Sequence, residues 1–109
     1  AEALAHLHPD IINPEPSELI GGTGGQVSDM GFVKKTIDAI KKIDPSIYVE
    51  QAAGIVNGKQ VYDFIMAGSE GAGAASGICN AKDPIATMEE MIKATRQAKD
   101  DLIKQGVKL

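Results

Sequence analysis

The sequence is short of several things at once. It has a single cysteine, Cys79, among 109 residues. That excludes an internal disulfide and fits a reducing cytoplasm. No apolar run comes near the roughly 18–20 residues that span a bilayer, and no charged-then-apolar amino-terminal segment resembles a secretory signal. Basic residues neither cluster nor predominate: 11 Lys and Arg stand against 15 Asp and Glu, for a net charge of −4. This argues against a nucleic-acid surface or an anionic membrane as partner. No pair of His, Cys or carboxylate residues has metal-ligand spacing. No Gly-Lys-Ser/Thr follows a glycine run, so there is no P-loop, and no cofactor is implied. Neither a linker nor a low-complexity segment divides the chain, so residues 1–109 are read as a single domain.

What is present is ordinary globular composition, 43 % hydrophobic and 24 % charged, arranged in a regular alternation. Strands are expected from about His8 to Asn13, from Ser46 to Ala52 around Ile47-Tyr48-Val49, and from Glu70 to Ser76. The last of these is almost all Gly, Ala and Ser and rests on context. Ser28 is read as the cap of a helix from Asp29 to about Ile43, with Phe32, Val33, Ile37, Ile40 and Ile43 inward. Asp44-Pro45 ends it. A second helix runs from about Gly58 to Ala67, with Val61, Phe64 and Ile65 inward and Gly68 as its stop. A third starts at Asp83-Pro84 and continues to about Gln105, with a stripe of Met88, Met91, Ile92, Thr95, Ala98 and Leu102. Residues Glu2 to Leu7 read as the last turns of a helix whose beginning is missing. With no initiator methionine, processing or excision is an expectation. A helix end followed by three strand–helix units implies parallel strands with crossover helices.

Three motifs follow the three strands. After the first comes Pro14-Glu15-Pro16-Ser17-Glu18-Leu19-Ile20-Gly21-Gly22-Thr23-Gly24-Gly25. A carboxylate there faces the crevice at the carboxyl ends of the strands, and a glycine-rich loop can fold over a ligand. After the second comes Gln51-Ala52-Ala53-Gly54-Ile55-Val56-Asn57-Gly58, and at the third Gly71-Ala72-Gly73-Ala74-Ala75-Ser76-Gly77-Ile78. Small residues between a strand and a helix let an anion approach backbone N–H groups. Each motif alone also reads as a solvated acidic turn or a close-packed turn. Together, an acid and then two anion loops describe the phosphate end of an eightfold barrel.

These residues resemble archaeal-type triosephosphate isomerase, a family also found in anaerobic bacteria, in its carboxyl-terminal part. EPSELIGGTGG at Glu15 to Gly25 is similar to the family's glutamate and closing loop, QAAGIVNG to the loop after its seventh strand, and AASGICNAKDP at Ala74 to Pro84 to the end of its eighth. The resemblance implies a partial (β/α)8 (TIM) barrel. It implies that Glu15 is the general base, that Pro16, Ser17, Glu18, Leu19, Ile20, Thr23 and Gly24 belong to the lid, and that Gly21, Gly22, Gly54, Ser76 and Gly77 bind the substrate phosphate. The extra glycine at Gly21-Gly22, the Asn13-Pro14 pair and the charge at Glu50 depart from the family's pattern. The family's lysine after the first strand and histidine after the fourth have no counterpart. His6 and His8 fall at the amino-terminal side of the first strand, away from Glu15. Lys82 reads as solvated, and Cys79 as a partly buried thiol.

The expected function is aldose–ketose isomerisation of a triose or tetrose phosphate once other strands complete the barrel, weak or absent in the isolated chain. The alternative is a non-catalytic phosphate-binding or self-associating structural partial barrel. Three parallel strands with helices on one face leave the other face open. A homo-oligomer, or a complementary amino-terminal barrel fragment, is therefore expected as partner.

Overall fold

The computed structural model describes residues 1–15 and 29–109. The chain runs α1 (Glu2–Ala5), β1 (Ile11–Ile12), α2 (Met30–Ile43), β2 (Tyr48–Gln51), α3 (Gly58–Met66), β3 (Gly71–Ala72), α4 (Ser76–Cys79) and α5 (Pro84–Lys104). The three strands form one sheet in the order β1-β2-β3. Both pairings are parallel, with Ile11 opposite Tyr48 and Glu50 opposite Gly71. This is the parallel sheet that the alternation implied, open at both edges, and it agrees with the partial barrel that the resemblance implied.

Local chemistry sets the helix ends. Asp29 caps α2, its carboxylate accepting from the Phe32 N–H at 3.1 Å. The expected start is thus corrected by one residue: Asp29 is the cap rather than the first helical residue, because its side chain satisfies a donor of the first turn. The cap expected at Ser28 lies outside the described residues. Asn57 caps α3 through the Gln60 N–H at 2.9 Å, and Asp83 caps α5 with Pro84 in the first turn. Gly68, with φ +111°, follows the end of α3 in a conformation that glycine adopts without a Cβ penalty.

The strands are shorter than expected, two to four residues each. Ser76, expected at the end of the third strand, is instead the first residue of α4. A strand persists only where a neighbour pairs with it, and β1 and β3 each have a neighbour on one side only. Alternation along β2 separates the two faces. Val49 and Gln51 are buried, Glu50 is half-buried and Tyr48 is exposed. The helix-covered face joins Ile12 and Val49 to Val33, Ile37 and Ile40 of α2 and to Val61, Phe64 and Ile65 of α3. On the other face Ile11 is 58 % and Tyr48 59 % exposed.

Glu50 lies on that open face and reaches over the residues of and just past β3. A Cβ built on Gly73 would come within 2.6 Å of Glu50 Oε1, and one on Gly71 within 3.5 Å of Glu50 Cγ. The carboxylate side chain lies across positions where β3 has no side chain of its own. At the amino ends of the strands, Glu70 accepts the Val49 N–H at 2.8 Å and pairs with Lys41. The Ser69 hydroxyl donates to Val49 O at 3.0 Å.

Two periodic stripes are less buried than expected. Phe32 on α2 and Met88 and Ile92 on α5 are exposed, while Met91 and Ala98 alone are fully buried on α5. α5 packs chiefly on α3, so only its Met91–Ala98 side finds a partner. Tyr62 of α3 donates to Asp101 Oδ2 at 2.6 Å across that contact. The bond holds the Asp101 carboxyl below its ordinary range, helped by Gln97, and raises the Tyr62 hydroxyl. Among the described residues no helix is long and apolar enough to cross a membrane.

Candidate active site

Glu15 stands just past the carboxyl end of β1, as expected. Its N–H donates to Asn13 O at 3.1 Å, and the Asn13 Nδ2 donates to Glu15 Oε1 at 3.2 Å. Pro14 restricts the backbone between them. The exposed Glu15 side chain lines a cleft of about 600 Å3 between α1 and α2, together with Glu2, Pro14, Phe32, Lys35 and Thr36. Phe32 faces this cleft rather than the core, which corrects its assignment to the inward stripe. Lys35 carries no signal of its own as a site residue, because on α2 it reads as one of several solvated lysines. The lid residues Pro16, Ser17, Glu18, Leu19, Ile20, Gly21, Gly22, Thr23 and Gly24 lie outside the described residues.

The turn after β2 has two successive left-handed residues, Ala53 at φ 68° and Gly54 at φ 78°. The loop continues to Asn57, which caps α3. Two of its donors are already engaged: the Val56 N–H donates to Gln60 Oε1 at 2.8 Å, and the Gly58 N–H to Glu90 Oε1 at 2.8 Å. The carboxylate of α5 therefore occupies the amino end of α3, the place a positive helix end offers to an anion. The anion-binding reading of this second loop is narrowed accordingly to the turn at Ala53-Gly54. Nothing in the local sequence signals Glu90, which is 32 residues away from Gly58.

Ser76 and Gly77 open α4, whose first N–H groups have no carbonyl partner within the helix. A Cβ on Gly77 would fall 1.9 Å from Ile55 O and 3.1 Å from Val56 Cα. Only glycine allows this approach, and it holds the start of α4 against the loop after β2. The structure thus brings Gly77 and the Gly54 loop together. Glu15 lines a separate cleft that includes neither Gly54, Ser76 nor Gly77.

The remaining candidates separate from the site. His8 precedes β1, with φ 53°, and its Nδ1 lies 2.7 Å from Asp44 Oδ2 at the end of α2. His6 caps the end of α1. Both histidines are at the amino-terminal side of the strands, opposite Glu15, as expected. Cys79 is exposed rather than partly buried, because α4 is a single turn with no buried residue. Lys82 is exposed. Among the described residues no group of three or more His, Cys, Asp or Glu could hold a metal ion.

Parallel strand–helix units, with a carboxylate and glycine turns at the carboxyl ends of the strands, are consistent with part of a (β/α)8 barrel. Its sequence is similar to triosephosphate isomerases of archaea. The enzyme of Methanosarcina mazei is 39 % identical over 84 % of this chain and 41 % of its own length. That of Methanothermus fervidus is 38 % identical over 83 % and 41 %, and that of Saccharolobus solfataricus 38 % over 84 % and 40 %. No family model matches the chain. The chain spans about two fifths of the length of these relatives. The chain is thus similar to the carboxyl-terminal part of archaeal-type triosephosphate isomerases.

Proposed function

We propose that this chain supplies the base-bearing and phosphate-gripping part of an aldose–ketose isomerase. Its substrate is a triose or tetrose phosphate, turned over when further strands complete the barrel. The observation that carries the reading is the contact of Gly77 with the loop after β2. That contact places two glycine turns side by side at the end of the sheet where Glu15 also emerges. In this reading Glu15 moves the proton between adjacent carbons. Backbone N–H groups at Gly54, Ser76 and Gly77, with Gly21 and Gly22 of the lid, take the phosphate. The lid comprises Pro16 to Gly24.

A barrel needs eight strands and this sheet has three, so the isolated chain is expected to turn over weakly at most. The partner is a second copy or a complementary amino-terminal barrel fragment. The test is a coupled assay with glyceraldehyde 3-phosphate, on the chain alone and mixed with the preceding portion of a relative. Turnover in the mixture that Glu15→Gln abolishes supports the reading. Turnover unchanged in Glu15→Gln overturns it.

One observation favours a second reading, phosphate binding without catalysis. Both histidines stand at the amino-terminal side of the sheet, so this chain brings no imidazole to Glu15 as an electrophile. Binding of phosphoglycolate to the mixture without turnover selects this reading.

A further inference from the structure

The Asn13-Pro14 pair, one of the sequence's departures from the family's pattern, directly precedes the candidate base. Ile12 is 5 % exposed and anchors the end of β1 in the core, so the residue after it turns to the opposite face. Pro14 follows, and the Glu15 N–H closes back on Asn13 O at 3.1 Å. A bond from residue i+2 to residue i makes a γ-turn, whose common form needs a central φ of about −75°. The proline ring holds φ at about −65° and has no N–H to compete. The path from Asn13 to Glu15 is therefore set within these residues and needs no contact from elsewhere in the chain.

That turn brings two side chains together. Asn13 Nδ2 donates to Glu15 Oε1 at 3.2 Å. An ionised carboxylate only accepts, so the amide must present its nitrogen here. Among the described residues no Lys, Arg or His pairs with Glu15. The carboxylate thus keeps its charge while one of its oxygens is held. We infer that Asn13 is a positioning residue for Glu15: it holds Oε1 and leaves Oε2 to take the substrate's proton. This rests on the reading of Glu15 as the base. An exposed glutamate otherwise turns about several side-chain torsions, and a base must stand within hydrogen-bond reach of the proton that it removes. The γ-turn fixes where the side chain leaves the backbone, and the amide fixes where it ends. A misplacement of about 1 Å costs about a hundredfold in rate. Loss of one hydrogen bond to a charged group accounts for about tenfold.

Asn13→Ala removes the donor. Asn13→Asp keeps the shape but turns the donor into a second carboxylate, which repels Glu15. In the mixture with the preceding portion of a relative, kcat for glyceraldehyde 3-phosphate should fall about tenfold in Asn13→Ala and further in Asn13→Asp. KM should stay unchanged in both, the signature of an interaction that acts on the transition state alone. Asn13 and Glu15 are exposed, and circular dichroism should show wild-type melting for each variant. On the chain alone, the Asn13 side-chain amide signals in nitrogen–proton correlation NMR, assigned by their loss in Asn13→Ala, should move in Glu15→Ala. Wild-type kcat in Asn13→Asp, a fall in kcat matched by a fall in melting temperature, a rise in KM at constant kcat, or amide signals that ignore Glu15→Ala overturns the inference. Turnover that Glu15→Gln leaves intact, or none in the wild-type mixture, overturns the base reading. The positioning role falls with it, while the amide signals still decide the bond.

Discussion

Replacing Gln51 by methionine should stabilise this protein. Gln51 sits in β2 on the same face as Val49, with no exposed surface, and neither Nε2 nor Oε1 of its carboxamide has a hydrogen-bond partner among the described residues. In the unfolded chain water solvates both atoms. In the folded chain that hydration is lost and nothing replaces it, at a cost of about 1–3 kcal/mol for the unpaired carboxamide. Methionine keeps the unbranched shape and volume, so the substitution removes the penalty with little repacking. The expected gain is about 1–3 kcal/mol, which raises Tm by roughly 4–15 °C in a domain near this size. Thermal unfolding by circular dichroism at one fixed protein concentration reads the shift. Urea unfolding should move its midpoint with an unchanged slope. Gln51→Glu should do the opposite, since it buries a charge without a counter-ion. An unchanged or lowered Tm in Gln51→Met refutes the argument and shows that the amide is satisfied in solution.

Other substitutions probe the contacts around the candidate site and the far end of the sheet. Gly77→Ala places a methyl 1.9 Å from Ile55 O and should cost about 1–3 kcal/mol or more. It should weaken phosphoglycolate binding in the completed barrel as α4 leaves the loop after β2, and a wild-type melting curve counts against this contact. Glu90→Ala removes the carboxylate from the Gly58 N–H and should lower stability by about 1 kcal/mol, as the loss of a helix cap does, read as a fall in the urea midpoint. The Ser46 hydroxyl, with help from His8 and the Ser46 N–H, holds the Asp44 carboxyl down at about 2, from an ordinary 3.8. Its contribution is therefore complete above the ordinary value and lost as pH falls through the folded one. Asp44→Asn should flatten the decline of Tm between pH 4 and 2, and parallel curves for the two proteins refute it.

The parts of the fold that were legible in the sequence are those whose cause is local. Asp83-Pro84 marks the start of α5 and Gly68 the end of α3 because a cap, a proline ring and a left-handed glycine act within one helical turn. The position of Glu15 just past a strand was legible for a similar reason: Pro14 beside it restricts the backbone there. The strand lengths were not legible, because a ladder depends on a neighbour distant in the chain. Phe32, Met88 and Ile92 show the limit of periodicity, which records that a residue is apolar at the right spacing but not that something covers it. Phe32 turns to the cleft beside Glu15, and Met88 and Ile92 line the edge of the sheet. Glu90 at the amino end of α3 is the clearest omission. Only tertiary packing of α5 on α3 brings its carboxylate to Gly58.

Glu50 sets a physical constraint on what can cover the open face of the sheet. Its side chain lies beside Gly71 and over Gly73, where a Cβ would come within 2.6 Å of Oε1. In this sheet the carboxylate remains half-buried and in reach of water. A barrel interior closed around the same atoms would desolvate it, at several kcal/mol unless a cation or donors met it there. Ile11 and Tyr48 favour covering the face, while Glu50 opposes covering it with purely apolar groups. Whatever completes this sheet must present a basic or hydrogen-bonding side chain opposite Glu50, or leave a wet gap at that point.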